Sequence, residues 1–525
     1  MQQKRIPVGW MRGGLCALVT AGLLVTLSAQ ELKSPRPAGP VPFPSPIDDE
    51  RFAALCVLSW TSPLGSLNGS RQWKSDGYDY QSDKKKNGLS NYPLPLEVPV
   101  TAEAAKIGSE EFYKTLRAAA VISEKQMLGA GFDVIAFDML PKPDYDPAKP
   151  LDESNTPLTH FKSFLVWLDA AKDTGIRVGL MPDVANQSAD YPKRRSLNAQ
   201  EWVRVLSGAL DHTPDSPHLW KVDGKPVLIH FGTDVFYGGP SPVEGAPKPD
   251  GGWREVLKQL RAAGKKFYFV ADLRPHELVT DWNHIADAAY VFAPSAPGGF
   301  LTEYQPLLAK KLSIPLIWTI SPGYYIRPLG YTQPDFNRIH DTYMAAMNAG
   351  ARGVFVMTWN DFGENTDIVP SACKGNNLLD IFGFYNQWFK KGEEPVLPKD
   401  RVIVTYPVRI PEEVTSQSPV FTRLAPGGGT WSTPSYQPKL FYWAYVKAPT
   451  TLSVRGVGRV RFPKAGVWFG ELGCVSPGVV EARLGDKDLT LPAVIATKKE
   501  GAVEGGLEYR YVNLSDMASV RKMGE

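Results

Sequence analysis

Residues Gly175–Asp183 read GIRVGLMPD. A glycine stands where a helical pattern stops, since glycine accepts the left-handed conformation that ends a helix. The apolar run Ile176–Met181 follows. It does not alternate with polar residues, so it reads as a strand covered on both faces. Pro182 and Asp183 close it and place an acid at the strand's carboxyl end.

The same grammar recurs along the chain. Strand-like runs fall at Ala53–Ser59, Asp133–Asp138, Ile176–Met181, Pro226–Phe231, Lys266–Asp272, Ala286–Phe292, Ile314–Ile320 and Gly353–Thr358. Amphipathic helices are clearest at Glu110–Leu128, Phe161–Lys172, Ala199–Leu210, Trp253–Ala263, Glu303–Lys311 and Phe336–Asn348. The fifth connection, around Leu278–Asn283, is short. Gly131, Gly264 and Gly350 repeat the role of Gly175. Eight β/α units predict an α/β fold of the (β/α)8 TIM-barrel type. A doubly wound open sheet is the alternative, but no GxGxxG or phosphate loop follows any strand.

From about Arg401 the pattern changes to short strand-like runs broken by Gly and Pro, such as Leu440–Val446, Val479–Leu484 and Leu507–Val512. These predict a C-terminal antiparallel β-sandwich. The expected organisation is a signal peptide over 1–29, a Pro-rich linker over 30–49, the barrel over 50–398 and the sandwich over 399–525.

The first segment carries Lys4, Arg5 and Arg12 ahead of the apolar run Leu15–Ala29, which small residues close. That is an export signal, with retention as a single membrane anchor as the alternative. The protein is expected to be secreted or periplasmic. Ser34–Pro46, SPRPAGPVPFPSP, reads as an extended spacer or a strap on the surface. The signal holds three basic and no acidic residues, so the remainder balances 55 basic against 55 acidic. No basic surplus is left for nucleic acid or an anionic surface. Cys56, Cys373 and Cys474 remain beyond the signal, enough for one disulfide and a leftover thiol.

Barrel enzymes carry their chemistry at the carboxyl ends of the strands. That rule collects Trp60, Asp138, Asp183, His230, Asp272, Tyr324 and the run Trp359–Asn360–Asp361, with Glu364 on the loop beyond. Carboxylates and rings dominate. No HxH, HExxH or GxSxG occurs, which disfavours zinc and serine hydrolases, and no nucleotide fingerprint appears; no cofactor is expected. Two carboxylic acids acting unaided suit glycosidic cleavage: one protonates the leaving oxygen, and the other activates water or attacks carbon. Asp361 and Glu364 lie three residues apart, with Cα atoms separated by ~10 Å at most, so spacing alone leaves retention and inversion open. Each position also has a structural reading. A strand-end Asp bonds loop amides, Trp359 suits a lid on the core, and His230 suits a buried core site.

TWNDFGE, Thr358–Glu364, resembles the Trp-Asn-Asp-Tyr-Gly-Glu signature of glycoside hydrolase family 71, the α-1,3-glucanases or mutanases. The likeness runs over roughly residues 50–410. It includes AGFDVIAFDM (Ala130–Met139), GIRVGLMPD, HLWKVDGKPVLIHFG (His218–Gly232) and DRVIVTYPVR (Asp400–Arg409). The resemblance implies an extracellular, endo-acting, inverting α-glucanase with Asp361 and Glu364 as the catalytic pair. Phe362 stands where the family has Tyr, and NTDI follows Glu364 in place of a Ser-His-type continuation. Endo-α-mannosidases, which also place two acids three residues apart, are the alternative among enzymes.

The expected partner is a polysaccharide or oligosaccharide, held by Trp60, Asp138, Asp183, Asp272, Tyr324, Trp359 and Asn360. Trp73, Tyr78, Tyr80 and Tyr92, in the long segment after the first strand, would add stacking rings. A non-catalytic glycan-binding surface protein is the rival from another class. It would keep the rings and could lose either acid; this chain keeps both.

Overall fold

The computed structural model describes residues 43–45, 50–60, 94, 96, 98, 101–104, 106, 108–183, 197–232, 252–273, 279–292, 298–326, 330–332, 336–362, 364–411, 422–424, 430–432, 438–497 and 509–518. The expected signal, most of the Pro-rich segment and the rings at Trp73, Tyr78, Tyr80 and Tyr92 lie outside them. Residues Gly39–Glu525 form one unit.

Eight parallel strands make the barrel: β1 (Phe52–Leu58), β2 (Val134–Met139), β3 (Arg177–Pro182), β4 (Lys225–His230), β5 (Tyr268–Asp272), β6 (Ala288–Tyr290), β7 (Trp318–Ile320) and β8 (Gly353–Val356). Their order is β6-β5-β4-β3-β2-β1-β8-β7. A parallel bridge between Ala289 and Leu316 joins the two ends. There the Ala289 N–H donates to the Pro315 carbonyl at 2.8 Å, and the Ile317 N–H to the Ala289 carbonyl at 2.9 Å. The sheet therefore closes on itself, which removes both exposed edges.

Six helices return the chain between strands: α1 (Glu110–Gly129), α2 (Phe161–Thr174), α3 (Ala199–His212), α4 (Gly252–Ala262), α5 (Gly298–Lys311) and α6 (Phe336–Asn348). The weak fifth connection is the 3-10 turn Val279–His284. Local signals hold these ends. Asn198 and Glu201 form a reciprocal capping box on α3, satisfying amides the helix itself leaves unpaired. Gly175 ends α2 at φ 87°, with its N–H on the Ala171 carbonyl. Before β4, Asp223 and Gly224 both take positive φ, the geometry of a tight hairpin turn.

Strand alternation sorts the side chains into two layers. Phe52, Ala54, Cys56, Val134, Ala136, Met181, Val227, Ile229, Val270 and Phe355 fill the barrel interior. Ala53, Leu55, Val57, Ile135, Phe137, Val178, Leu180, Leu228, Phe269, Val354 and Val356 face the helices. Gly353 makes room in the interior, because a Cβ there would lie 2.5 Å from the Phe52 ring.

The Pro-rich segment is not merely a surface strap. Phe43 is 1% exposed and sits under the barrel's amino end. Its ring centroid lies 5.6 Å from that of Phe52, 5.7 Å from Tyr268 and 6.1 Å from Trp220. Rings at the first positions of β1 and β5 would otherwise face water, so apolar burial draws this residue in.

A seventh helix, α7 (Asn377–Lys391), follows β8 and was not among the helices expected. It is buried on both sides. Phe382 meets Phe132 and Tyr343, while Phe384 meets Trp443 at 5.3 Å. Leu378, Ile381, Phe382, Tyr385 and Phe389 make its buried stripe, Phe384 adds a contact on the sandwich side, and Gln387 is exposed.

The C-terminal part is the expected sandwich. One sheet holds β9 (Arg401–Pro407), β10 (Lys439–Val446), β13 (Gly466–Cys474) and β16 (Tyr509–Asn513). The other holds β11 (Thr450–Val454), β12 (Gly458–Phe462), β14 (Gly478–Leu484), β15 (Lys487–Thr497) and the short strand Arg409–Pro411. Val402, Val404, Leu440, Leu452, Phe462 and Leu489 lie between the sheets. The first sheet's other face joins the barrel's outer core through Ile403, Phe441, Trp443 and Tyr511. Cys56, Cys373 and Cys474 are all free thiols, so none of them forms the disulfide that their number allowed.

Candidate active site

The candidate acids stand on the loop leaving β8. The Trp359 N–H bonds the Cys56 carbonyl at 2.7 Å, which carries the β1–β8 pairing past the strand end. Asn360 tightens the seam. Its Oδ1 accepts the Leu58 N–H at 2.8 Å and its Nδ2 donates to the Leu58 carbonyl at 2.9 Å. Thr358 folds the loop back: its hydroxyl pairs with that of Thr366 at 2.9 Å and accepts the Asp361 N–H at 3.0 Å. The buried Lys374 ammonium then clasps the loop from behind, 2.6 Å from Asp367 Oδ1 and 2.7 Å from the Asp367 carbonyl.

This turn brings the two acids together. The Glu364 N–H donates to Asp361 Oδ1 at 3.0 Å. The Tyr324 hydroxyl, from the loop after β7, donates to Glu364 Oε1 at 3.1 Å. Asp361 is 8% exposed and Glu364 is half-buried.

Two further acids join them. Asp138 continues the inward series Val134 and Ala136 at the end of β2, and Asp183 follows Met181 in the same way on β3. Burial pushes the Asp138 carboxyl well above the usual carboxylate range, and the charges of Asp183, Asp361 and Glu364 push it the same way. Cys56 lies one layer deeper on β1, and burial raises its thiol. Asp138, Asp361, Asp183 and Glu364 add to that rise. Asp183, Asp361 and Glu364 thus lie within electrostatic reach of Asp138 and Cys56. Trp60 packs half-buried against the same interior at the mouth.

Other expected contacts are placed differently. Asp272 points inward but is fully buried, with Oδ2 on the Gly232 N–H at 3.1 Å and Oδ1 on the Phe292 N–H at 2.7 Å. It ties two loops together and is closed to a substrate. Trp359, 2% exposed, belongs to the outer core as a lid. Asn360 is committed to the β1 backbone. Phe362 is also in the outer core, so its ring lies away from the mouth. His230 points outward between Trp253, 4.2 Å away, and Trp202, 5.0 Å away. Burial holds its pKa down at about 3, so it is a neutral core residue.

Sequence reasoning gave no role to Thr358, although it opens the TWNDFGE stretch, and it missed Thr366 and the Lys374–Asp367 clasp, which carry no motif. It also missed a link to the sandwich. The Tyr511 N–H donates to the Cys373 carbonyl at 2.8 Å, and Asn377 Nδ2 donates to the Tyr511 carbonyl at 3.1 Å, so β16 is sewn to the far end of this loop. Among the described residues, no three His, Cys, Asp or Glu side chains stand close enough together to bind a metal ion. No helix among them is long and apolar enough to cross a membrane.

No family model matches the chain, and no curated protein matches it. Solved structures with similarity to it include three glycan-processing enzymes. A family 99 endo-α-mannosidase from Bacteroides thetaiotaomicron is 14% identical, with TM-score 0.41, over 65% of this chain and 97% of that one. A family 113 β-1,4-mannanase is 13% identical, with TM-score 0.33, over 53% and 94%. The cyclic α-maltosyl-(1→6)-maltose hydrolase of Arthrobacter globiformis is 10% identical, with TM-score 0.33, over 81% and 99%.

Proposed function

We propose that this chain is a secreted glycoside hydrolase that cleaves a polysaccharide, using Asp361 and Glu364 as its acid and base. The observation that carries the reading is the hydrogen-bonded run Tyr324–Glu364–Asp361 beyond the carboxyl ends of the barrel strands. Asp138 lies within electrostatic reach of it, and Asp183 within reach of Asp138. Carboxyl groups crowded in this way cannot all ionise together, and glycosidic cleavage needs one proton donor beside one proton acceptor.

In the proposed reaction, one acid of the pair gives its proton to the leaving glycosidic oxygen. The other takes a proton from the attacking water, and the sugar's anomeric centre inverts. Tyr324 holds Glu364 in place, Thr358 and Lys374 hold the loop, and Trp60 offers a flat face to a sugar ring. The resemblance in Thr358–Glu364 makes an α-1,3-glucan the first substrate to try. The amino-terminal segment is what supports export.

Purified protein incubated with insoluble α-1,3-glucan, β-glucans and mannans, with product anomers followed by NMR, tests the reading. Release of inverted sugar from the α-glucan is expected; release from mannan alone would move the substrate and keep the class. Asp361→Asn and Glu364→Gln should each lower kcat at least about a thousandfold, in line with the loss of a positioned acid or base, while the fold persists. Hydrolysis that survives both single changes would remove the assignment.

A further inference from the structure

The second sheet of the sandwich carries an open groove of about 750 Å³. Leu452, Val454, Ala482 and Leu489 point into the sandwich core, so the residues alternating with them point the other way, onto the groove. Strand register sets these in rows. Ser453 on β11 pairs with Arg459 on β12 and with Arg483 on β14, and Arg483 pairs with Asp488 on β15. One row therefore reads Arg459–Ser453–Arg483–Asp488. The next reads Arg455–Glu481–Thr490: the Arg455 N–H donates to the Glu481 carbonyl at 2.9 Å, and Glu481 pairs with Thr490. Thr451 lines the same groove.

Two of the arginines already hold carboxylates. Arg483 grips Asp488 with two bonds, Nε to Oδ1 at 2.6 Å and Nη2 to Oδ2 at 3.0 Å, the planar fork that suits a carboxylate. Arg455 Nη1 donates to Glu481 Oε2 at 2.6 Å. Both pairs are exposed. Exposed pairs contribute little to stability, so an incoming carboxylate exchanges with them at small cost. Arg459 stands two strand spacings from Arg483, about 10 Å, so the cations repeat across the sheet. Residues 450–462 and 478–490 together hold five basic residues against three acidic ones. The surplus is local, in a chain whose charges otherwise balance.

We propose that this groove is a second binding site, which anchors the protein on a carboxylate-bearing polysaccharide, a polyuronide. Guanidinium groups take the uronate carboxylates. The hydroxyls of Ser453, Thr451 and Thr490, set between the arginines, both donate and accept, as ring hydroxyls require. An acidic peptide would satisfy the first set and leave the second idle. The proposal does not depend on the chemistry of the barrel mouth.

Isothermal titration calorimetry on the full chain, in the Glu364→Gln background, tests this. The probes are octagalacturonate, a neutral gluco-octaose and an octaglutamate peptide. Octagalacturonate is expected to bind, and to bind less tightly as salt rises, because exposed charges are screened. Arg459→Gln should weaken it about 3- to 10-fold, and Arg459→Gln with Arg483→Gln about 10- to 100-fold, as charge-assisted hydrogen bonds are lost. Ser453→Ala should weaken it roughly threefold. Arg117→Gln, on the outer helix α1, is the control and should keep the parental affinity. Melting curves report the fold; should the double variant unfold, Arg459→Gln, an exposed position on the outermost strand, carries the same test. Arg459-dependent binding of the neutral octamer as tight as that of octagalacturonate would make this a general glycan surface. The same result with octaglutamate would make it a peptide surface. Either overturns the proposal, as would parental affinity in the arginine variants or no binding of octagalacturonate.

Discussion

The Tyr324 hydroxyl and Glu364 Oε1 are joined by a 3.1 Å hydrogen bond, and through it the loops after β7 and β8 share one carboxylate. That contact fixes the direction of the carboxyl plane relative to Asp361, whose Oδ1 receives the Glu364 amide. An acid held at two points loses less freedom when a substrate arrives, which is what positioning contributes to a rate.

Tyr324→Phe keeps the ring and removes this donor. We expect kcat to fall roughly tenfold, the worth of one hydrogen bond to a charged or partly charged group, with little change in KM and none in circular dichroism. An unchanged kcat would mean that the loop holds Glu364 without help.

Lys374→Met tests the clasp behind the site. Asp367 is fully buried, and Lys374 nearly so, at 2.6 Å. Removing one partner of a buried pair leaves a bare charge and costs about 3–5 kcal/mol. Urea titration should show that loss, and Asp367→Asn in the same chain should recover part of it. Additive losses would argue against a direct pair.

Two buried groups should tilt stability with pH in opposite directions. His230 has its pKa lowered to about 3 by burial. The unfolded chain therefore binds the extra proton first, and stability falls as pH drops from the ordinary histidine range toward 3. Glu124, fully buried on α1, is raised to about 8, mainly by burial and against the pull of Thr174 and Arg117. Its contribution is complete below the ordinary glutamate range and is lost as pH rises through 8. Each shift corresponds to a few kcal/mol, at about 1.4 kcal/mol per unit. Denaturant midpoints measured from pH 4 to 9 should flatten on the acid side in His230→Leu and on the alkaline side in Glu124→Gln. Slopes identical to those of the unmodified protein would show that these groups do not set the profile.

Phe43→Ala should destabilise the chain by about 3–5 kcal/mol, as for other large buried rings, because Phe43 covers Phe52, Tyr268 and Trp220. Thermal melting checks it. A neutral effect would return residues 43–45 to the status of a spacer.

The barrel was legible because its strands are continuous apolar runs, bounded by glycine on one side and an acid on the other, as in Gly175–Asp183. The helix α7 was readable in helical terms too, since Leu378, Ile381, Phe382, Tyr385 and Phe389 recur at helical spacing; Phe384, turned toward Trp443, blurs that stripe. At the site, alternation along each strand points Asp138, Asp183 and Asp272 inward alike. What separates them is which backbone amides arrive from elsewhere. Asp272 is claimed by amides 40 residues earlier and 20 residues later in the chain, a fact that no local pattern encodes. Trp359 and Asn360 show the same limit: their motif is readable, while their burial and their β1 partners come from closure of the barrel.

The seam between Tyr511 and the loop end at Cys373 and Asn377 has a temporal consequence. Strand β16 lies 134 residues downstream of Asn377, so a nascent chain emerging from the ribosome would expose the whole barrel well before this brace exists. The loop bearing the acids would gain its last anchoring bonds only after the sandwich had been synthesised. Maturation of the mouth is thereby deferred to a late stage of chain synthesis.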